Sequence, residues 1–282
     1  MASDLFGHDA FSPKEIALRV ETIGVAKTQI PLLSQAMLGV LAGAFIGLGA
    51  LGANLVFSDP QLPFAASRLL GGLAFSLGLV LVSVAGAELF TGNNLLAMAW
   101  AAGLLSTRAV LRNWLIVCAT NFVGGIGLAA LVAFSGHLAM NNGLVGAAAV
   151  ATAAAKCELP FLSAFLKGVL CNLLVCMAVW MAFAGRSVID KVVAIVPPIT
   201  AFVAAGFEHS VANMYVIPLG WLAARLDPGL ADLPGAGSIT LANFAANLAA
   251  VILGNLVGGS VLVALVYWVI YLRPAKDGAS ED

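Results

Sequence analysis

The chain has 282 residues, of which 61% are hydrophobic and only 10% charged, with a formal net charge of -1. A soluble domain carries roughly a quarter charged residues, so this sequence lacks the polar groups to cover a water-facing surface and reads as an all-α integral membrane protein. Nor does it hold a basic stripe able to neutralise phosphates, which excludes a nucleic-acid partner.

The first residues, MASDLFGHDAFSPKE, are polar and contain no apolar run of signal-peptide type. Ser12-Pro13-Lys14-Glu15 has the form of a capping box with proline at the first helical position. The helix it opens carries Ile16, Val20 and Ile23 on one face and Lys14, Arg19 and Lys27 elsewhere, the pattern of a helix on the membrane surface. Residues 1–28 are therefore expected to form a cytoplasmic N-terminal segment, 29–272 a single transmembrane domain and 273–282 a cytoplasmic tail. Apolar runs at 30–57, 69–103, 109–135, 159–185, 192–224 and 239–272 predict six crossings, each long enough for the roughly 20 residues that a span needs.

Charge sets the orientation. Lys14, Arg19 and Lys27, then Arg108 and Arg112, Arg186 and Lys191, and Arg273 and Lys276 fall at one face, whereas Arg68, Lys156 and Arg225 fall at the other. The bias of basic residues puts both termini in the cytoplasm, with Tyr267, Trp268 and Tyr271 as an aromatic anchor before the tail. The cysteines, Cys118, Cys157, Cys171 and Cys176, lie mostly in apolar runs without metal-ligand spacing and read as packing residues, so no metal site is expected.

Runs two and five are too long for one straight helix. One is interrupted at AGAELFTGNN (85–94) and the other at AGFEHSVANM (205–214). The interruptions align at Ala85, Gly86, Glu88 and Asn93 with Ala205, Gly206, Glu208 and Asn213. Flanking segments repeat too: KTQIPLLSQAMLGVL (27–41) matches KCELPFLSAFLKGVL (156–170), and NFVGG (121–125) matches NLVGG (255–259). Three crossings per half make the second half enter from the opposite side, an inverted repeat with helices 2 and 5 broken. Non-helical backbone at mid-depth must be buried in protein or line a cavity, and paired breaks in inverted halves point to a transport site. Glu88 and Glu208 are expected to accept backbone N–H groups at the start of each half-helix. Gly39, Gly43, Gly47, Gly254 and Gly258 supply the small-residue spacing of close helix contacts.

The segments GGLAFSLGLVLVSVAGAELFTGN (71–93), NLLVCMAVWMAFAGRS (172–187) and GFEHSVANMYVIPLG (206–220) closely resemble the signatures of the formate/nitrite transporter family, and within it the formate channels. The resemblance implies an aquaporin-like fold in a bacterial inner membrane, assembled as a homopentamer with one pore per protomer, no cofactor, and no enzymatic activity. It implies passage of formate, or alternatively of nitrite, acetate, lactate or hydrosulfide. By motif, Leu89-Phe90-Thr91 correspond to the loop that narrows the pore, Phe75, Leu79, Val175 and Phe202 to its lining and constrictions, and Lys156 to an anion-attracting lysine. Asn172, Glu208, His209 and Asn213 correspond to the polar centre, with proton passage expected through Thr91, His209, Asn172 and Glu208. Lys167 has no counterpart among these residues and receives no role. A haem subunit would need two deep histidines, and of His8, His137 and His209 only the last is deep; a water channel's paired Asn-Pro-Ala motifs are lacking.

Overall fold

The computed structural model describes residues 10–273, and His8, Lys276 and the tail 274–282 lie outside the described residues. Helix α1, Pro13–Thr28, opens on the expected capping box: the Ser12 N–H donates to Glu15 Oε2 at 2.7 Å and the Glu15 N–H to Ser12 Oγ at 3.4 Å. The Ser12 N–H and the Ser12 hydroxyl, both donating to the Glu15 carboxylate, hold it below the usual carboxylate range. The apolar face of α1 meets protein: Ile16, Ala17 and Val20 are buried in a cluster with Met98 and Trp180. Phe11 fastens its start, with its ring between the Arg19 and Arg186 guanidinium groups at 4.0 and 4.4 Å.

Helix α2 spans Leu32–Phe57 and α3 spans Phe64–Val80, starting five residues ahead of the run at 69. A π-turn, Leu81–Gly86, then ends the helix; residues 87–91 are largely non-helical, and a 3-10 turn, Gly92–Leu95, leads into α4, Leu96–Ala101. Helix α5 covers Thr107–Phe134, α6 Leu144–Cys157 and α7 Phe161–Ala184. The fifth apolar run divides into α8, Val188–Ala204, and α9, Ser210–Leu226. A short α10, Pro228–Ala231, precedes α11, Leu241–Leu256, which continues through a π stretch, Val257–Leu265, into α12, Val266–Tyr271. Five stretches are long and apolar enough to cross a membrane: 32–57, 64–86, 107–134, 161–184 and 241–271. No strand occurs among the described residues, and the chain is a multi-pass membrane protein.

Helix α6 is the element the run-counting did not foresee. At 14 residues it is too short to cross roughly 30 Å of hydrocarbon, yet its last turn delivers Lys156 to the break before α9. Tyr267 also differs from a simple interfacial anchor, since it stacks on Trp180 at 4.3 Å and on Tyr271 at 5.7 Å.

Helices α2 and α5 pack as closely as α7 and α11, and glycine is the reason in both. A Cβ on Gly43 would fall on the Asn121 carbonyl and one on Gly124 on the Val40 carbonyl; on α11 and the π stretch that continues it, one on Gly254 would fall on the Phe165 carbonyl and one on Gly258 on the Val169 carbonyl. In lipid, where apolar burial gives little preference for one helix partner over another, such backbone approach supplies the dispersion contact that holds helices together. Gly258→Ala is expected to lower the apparent melting temperature of the detergent-purified protein by several degrees, an overpacking cost of roughly 1–3 kcal/mol. Gly52→Ala, whose methyl meets Ala74 at an ordinary 3.5 Å, is expected to leave it unchanged or higher.

Candidate functional site

The two breaks are built alike. Gly86 and Gly206 take φ of +88° and +72°, the left-handed region that glycine reaches without strain. In each case the next N–H closes back five residues: Ala87 to the Val82 carbonyl and Phe207 to the Phe202 carbonyl, both at 3.0 Å. Such a closure ends a helix without orphaned carbonyls. The Arg68 guanidinium completes the end of α8, donating to the Val203 and Ala204 carbonyls at 2.6 and 3.1 Å.

An asparagine from a neighbouring helix then staples each non-helical segment. Asn121 donates to the Gly39 and Glu88 carbonyls at 2.8 and 2.9 Å and accepts the Phe90 N–H at 2.9 Å. Asn255 donates to the Gly168 and Glu208 carbonyls at 2.8 and 3.0 Å and accepts the Ser210 N–H at 2.9 Å. Main-chain bonds from Glu88 to Leu38 and from Glu208 to Lys167, both 3.2 Å, complete the pairing.

The carboxylates do not cap the half-helices. Glu88 receives the Lys27 ammonium at 2.8 Å and the Asn93 amide at 2.7 Å, and Asn93 also donates to Asn113 at 2.9 Å. Glu208 receives Lys156 at 2.9 and 3.0 Å and Asn213 at 2.7 Å, and Asn213 donates to Asn247 at 2.8 Å. Each is a lysine–glutamate–asparagine–asparagine clasp, and each glutamate side chain is only 6% exposed. A buried carboxylate needs a charge partner more than it needs a dipole, so lysine takes the place expected of backbone N–H groups. Lys27, expected on the outer face of a surface helix, thus reaches inward as the counterpart of Lys156.

The cap of α9 is His209 itself, whose Nδ1 accepts the Ala212 N–H at 3.0 Å. An accepting Nδ1 carries no hydrogen, so the ring hydrogen sits on Nε2 and points to Thr91 Oγ1 at 3.0 Å. Asn172 donates to the Thr91 and Asn255 carbonyls at 3.2 and 2.7 Å and to Asn94 Oδ1 at 2.7 Å. It makes no hydrogen bond to His209 or Glu208, so the expected string of four side chains is hydrogen-bonded side chain to side chain only between Thr91 and His209.

Two cavities flank this centre. The first, about 450 Å³, is lined by Lys27, Glu88, Asn93, Leu79, Leu89 and Lys191 among others. The second, about 280 Å³, is lined by Lys156, Glu208, His209, Phe75, Phe202 and Arg68 among others. Phe75 and Leu79 lie one turn apart on α3, so the cavities approach across about 5–6 Å of helix. Phe75 and Phe202 meet edge to face at 5.4 Å, and Phe202 stacks on the His209 ring at 5.9 Å. Thr91 and His209 are buried, at 0% and 2% exposure. His209 lines the second cavity, whereas Thr91, Phe90, Asn172, Val175 and Asn213, all buried, line neither cavity.

The sequence profile described as formate/nitrite transporter matches residues 14–269. The chain belongs to the formate/nitrite transporter family. Among relatives, the formate channel FocA of Escherichia coli K12 is 38% identical over 278 residues, covering 94% of this chain and 96% of that protein. A probable formate transporter of Methanothermobacter thermautotrophicus is 36% identical over 283 residues, covering 93% of this chain and 97% of its own length. A solved pentameric formate channel with formate bound superposes with a TM-score of 0.79 at 38% identity, covering 86% of this chain and 98% of the other. Members of the formate/nitrite transporter family of this kind are channels and transporters, not enzymes.

The residues that sequence reading missed as site members include Lys27, Arg68, Asn94, Asn113, Asn247 and the two staples Asn121 and Asn255. The signal for Lys27 was present, because the repeat aligns it with Lys156. Removing one partner of a buried pair strands the other charge, at a cost of about 3–5 kcal/mol. Lys156→Met is expected to lower the melting temperature sharply, and Lys156→Met with Glu208→Gln to recover most of the loss. Lys27→Met should cost less, since the Lys27 side chain is 25% exposed against 16% for Lys156. Thermal unfolding of the four proteins checks the order.

Proposed function

We propose that the chain is a channel for formate and related small monovalent anions, with passage linked to a proton through His209. The observation that carries this reading is the centre itself. One neutral imidazole and one hydroxyl face each other there, Nε2 to Thr91 Oγ1 at 3.0 Å, with the Phe202 ring stacked on the imidazole and Phe75 edge-on to Phe202. The formate-bound neighbour and the formate-channel relatives support the choice of anion.

The mechanism follows from the cost of the crossing. An isolated carboxylate moved into low dielectric costs tens of kcal/mol in the limiting Born estimate. A carboxylic acid with a pKa near 3.9 is neutral in only about one molecule in a thousand at pH 7. The barrier is therefore passed by the acid, formed at the centre. Nε2 gives its hydrogen to the carboxylate oxygen while Nδ1 takes one from water, leaving hydroxide on the side of entry. The imidazole is neutral before and after, and the ring regains its resting tautomer when Nδ1 returns its hydrogen to the hydroxide and Nε2 draws one from water. For that exchange the Ala212 N–H must release Nδ1, which couples each passage to an opening of the first turn of α9. The neutral acid then crosses the apolar wall and returns its proton to water beyond it.

The same reading makes residues 29–272 six spans in two inverted three-helix repeats of aquaporin-like form, with α8 and α9 as the halves of the fifth span. Five pairs of matched bonds support the inversion: the two lysine clasps, the two asparagine staples, the glutamate N–H bonds, the paired glycine closures and the glycine contacts of α2–α5 and α7–α11. By the positive-inside bias both termini face the cytoplasm of a bacterial inner membrane, the first cavity opens to that side and the second to the other. Assembly is a homopentamer, as in the formate-bound neighbour.

In proteoliposomes, His209→Asn is expected to lower formate flux at pH 7 by roughly a hundredfold or more, the lower end for a lost acid–base group, and to abolish the accompanying movement of protons. Unaltered flux and proton coupling across a pH series would remove His209 from the mechanism.

A further inference from the structure

The second cavity holds three cations, Arg68, Lys156 and Lys167, against one carboxylate, Glu208. Two of the three are already engaged. Lys156 contacts both oxygens of Glu208 at 2.9 and 3.0 Å, so seen from a distance the two form a neutral pair. Arg68 spends its Nε and one terminal nitrogen on the Val203 and Ala204 carbonyls, at 3.1 and 2.6 Å. Lys167 has neither a hydrogen-bond partner nor a carboxylate in reach among the described residues, where the ion pairs are Lys27–Glu88 and Lys156–Glu208. Its position is nonetheless fixed, because its carbonyl accepts the Glu208 N–H at 3.2 Å and the following Gly168 is buried against α11.

The matched position in the first half is Leu38, whose carbonyl accepts the Glu88 N–H and which lines the first cavity. The backbone role at this place is therefore served without a charge, and the lysine at 167 is not required by the fold. A long side chain often carries its ammonium along apolar surface to water, and Lys167 is among the residues that line the second cavity.

We propose that Lys167 is a positioning residue for the permeant anion: it supplies the uncompensated positive charge of the second cavity and concentrates small monovalent carboxylates there ahead of the Phe75–Phe202 wall. The inference rests on the anion-channel reading above. A low-dielectric cleft lined by one sign of charge focuses its field and raises the local concentration of the opposite ion by tenfold or more. That effect is screened as the Debye length falls from about 30 Å at 0.01 M salt to about 3 Å at 1 M.

The test is formate flux against formate concentration in proteoliposomes carrying the wild-type protein, Lys167→Leu or Lys167→Arg, at about 0.01 M and about 1 M ionic strength. Leucine is the residue the first half uses at this place, so the variant is expected to fold. Expected is a half-saturating concentration raised roughly three- to tenfold in Lys167→Leu at low salt, with the maximal rate kept, the difference lost at high salt, and Lys167→Arg like wild type. Wild-type behaviour of Lys167→Leu at low salt, or a defect that persists unchanged at high salt, overturns the inference and leaves the channel reading standing. A wild-type protein that carries no formate at any concentration overturns both.

Discussion

Backbone that leaves its helix inside hydrocarbon must find every hydrogen-bond partner within the protein, and the rest of this structure is arranged around meeting that demand twice. At each break a glycine with positive φ turns the chain, a closure over five residues saves the helix end, and an asparagine from a neighbouring helix takes up the exposed carbonyls and N–H. Each break also holds a carboxylate, which without a partner would cost several kcal/mol in this setting. Lysine meets it from outside the broken helix, from α1 in one case and α6 in the other. The elements that look peripheral, a surface helix and a helix too short to span, are thus the ones that make the centre affordable.

Satisfying the backbone so completely leaves little polarity for anything that passes. Clasps and staples occupy the glutamates and most of the asparagines, and the imidazole left beside the Phe202 ring is that of His209, hydrogen-bonded to Thr91. His209 serves two ends at once. As the cap of α9 it is part of the structure, and as the carrier of the Nε2 hydrogen it is the group available to an anion. In the function proposed here these roles compete for Nδ1, so proton transfer and local helix order are tied together by a single nitrogen.

Much of this was legible in the sequence and the rest was not, for physical reasons. The breaks were readable because glycine, glutamate and asparagine inside apolar runs have few other uses. Repetition of AGxE with a later asparagine paired them, and NFVGG with NLVGG marked Asn121 and Asn255 without disclosing their work as staples. The partners of Glu88 and Glu208 were misjudged because a helix dipole is a local cue, whereas Lys27 and Lys156 arrive from elements far away in the chain. Helix α6 escaped notice because its apolar run is shorter than a span. The cap by His209 Nδ1 left no mark at all, histidine being uncommon among the residues that cap helices, and it corrected the expected proton string by turning the ring toward Thr91 and Ala212 rather than Asn172 and Glu208.

If the anion crosses the wall as a neutral acid, the crossing moves no net charge. Formate flux through the wild-type protein, measured in proteoliposomes with an internal pH dye while a potassium gradient and ionophore impose a membrane potential, tests this most directly. The account predicts one proton with each formate and a rate indifferent to a potential of either sign. A flux that follows the imposed potential, with the internal pH unmoved, would contradict it.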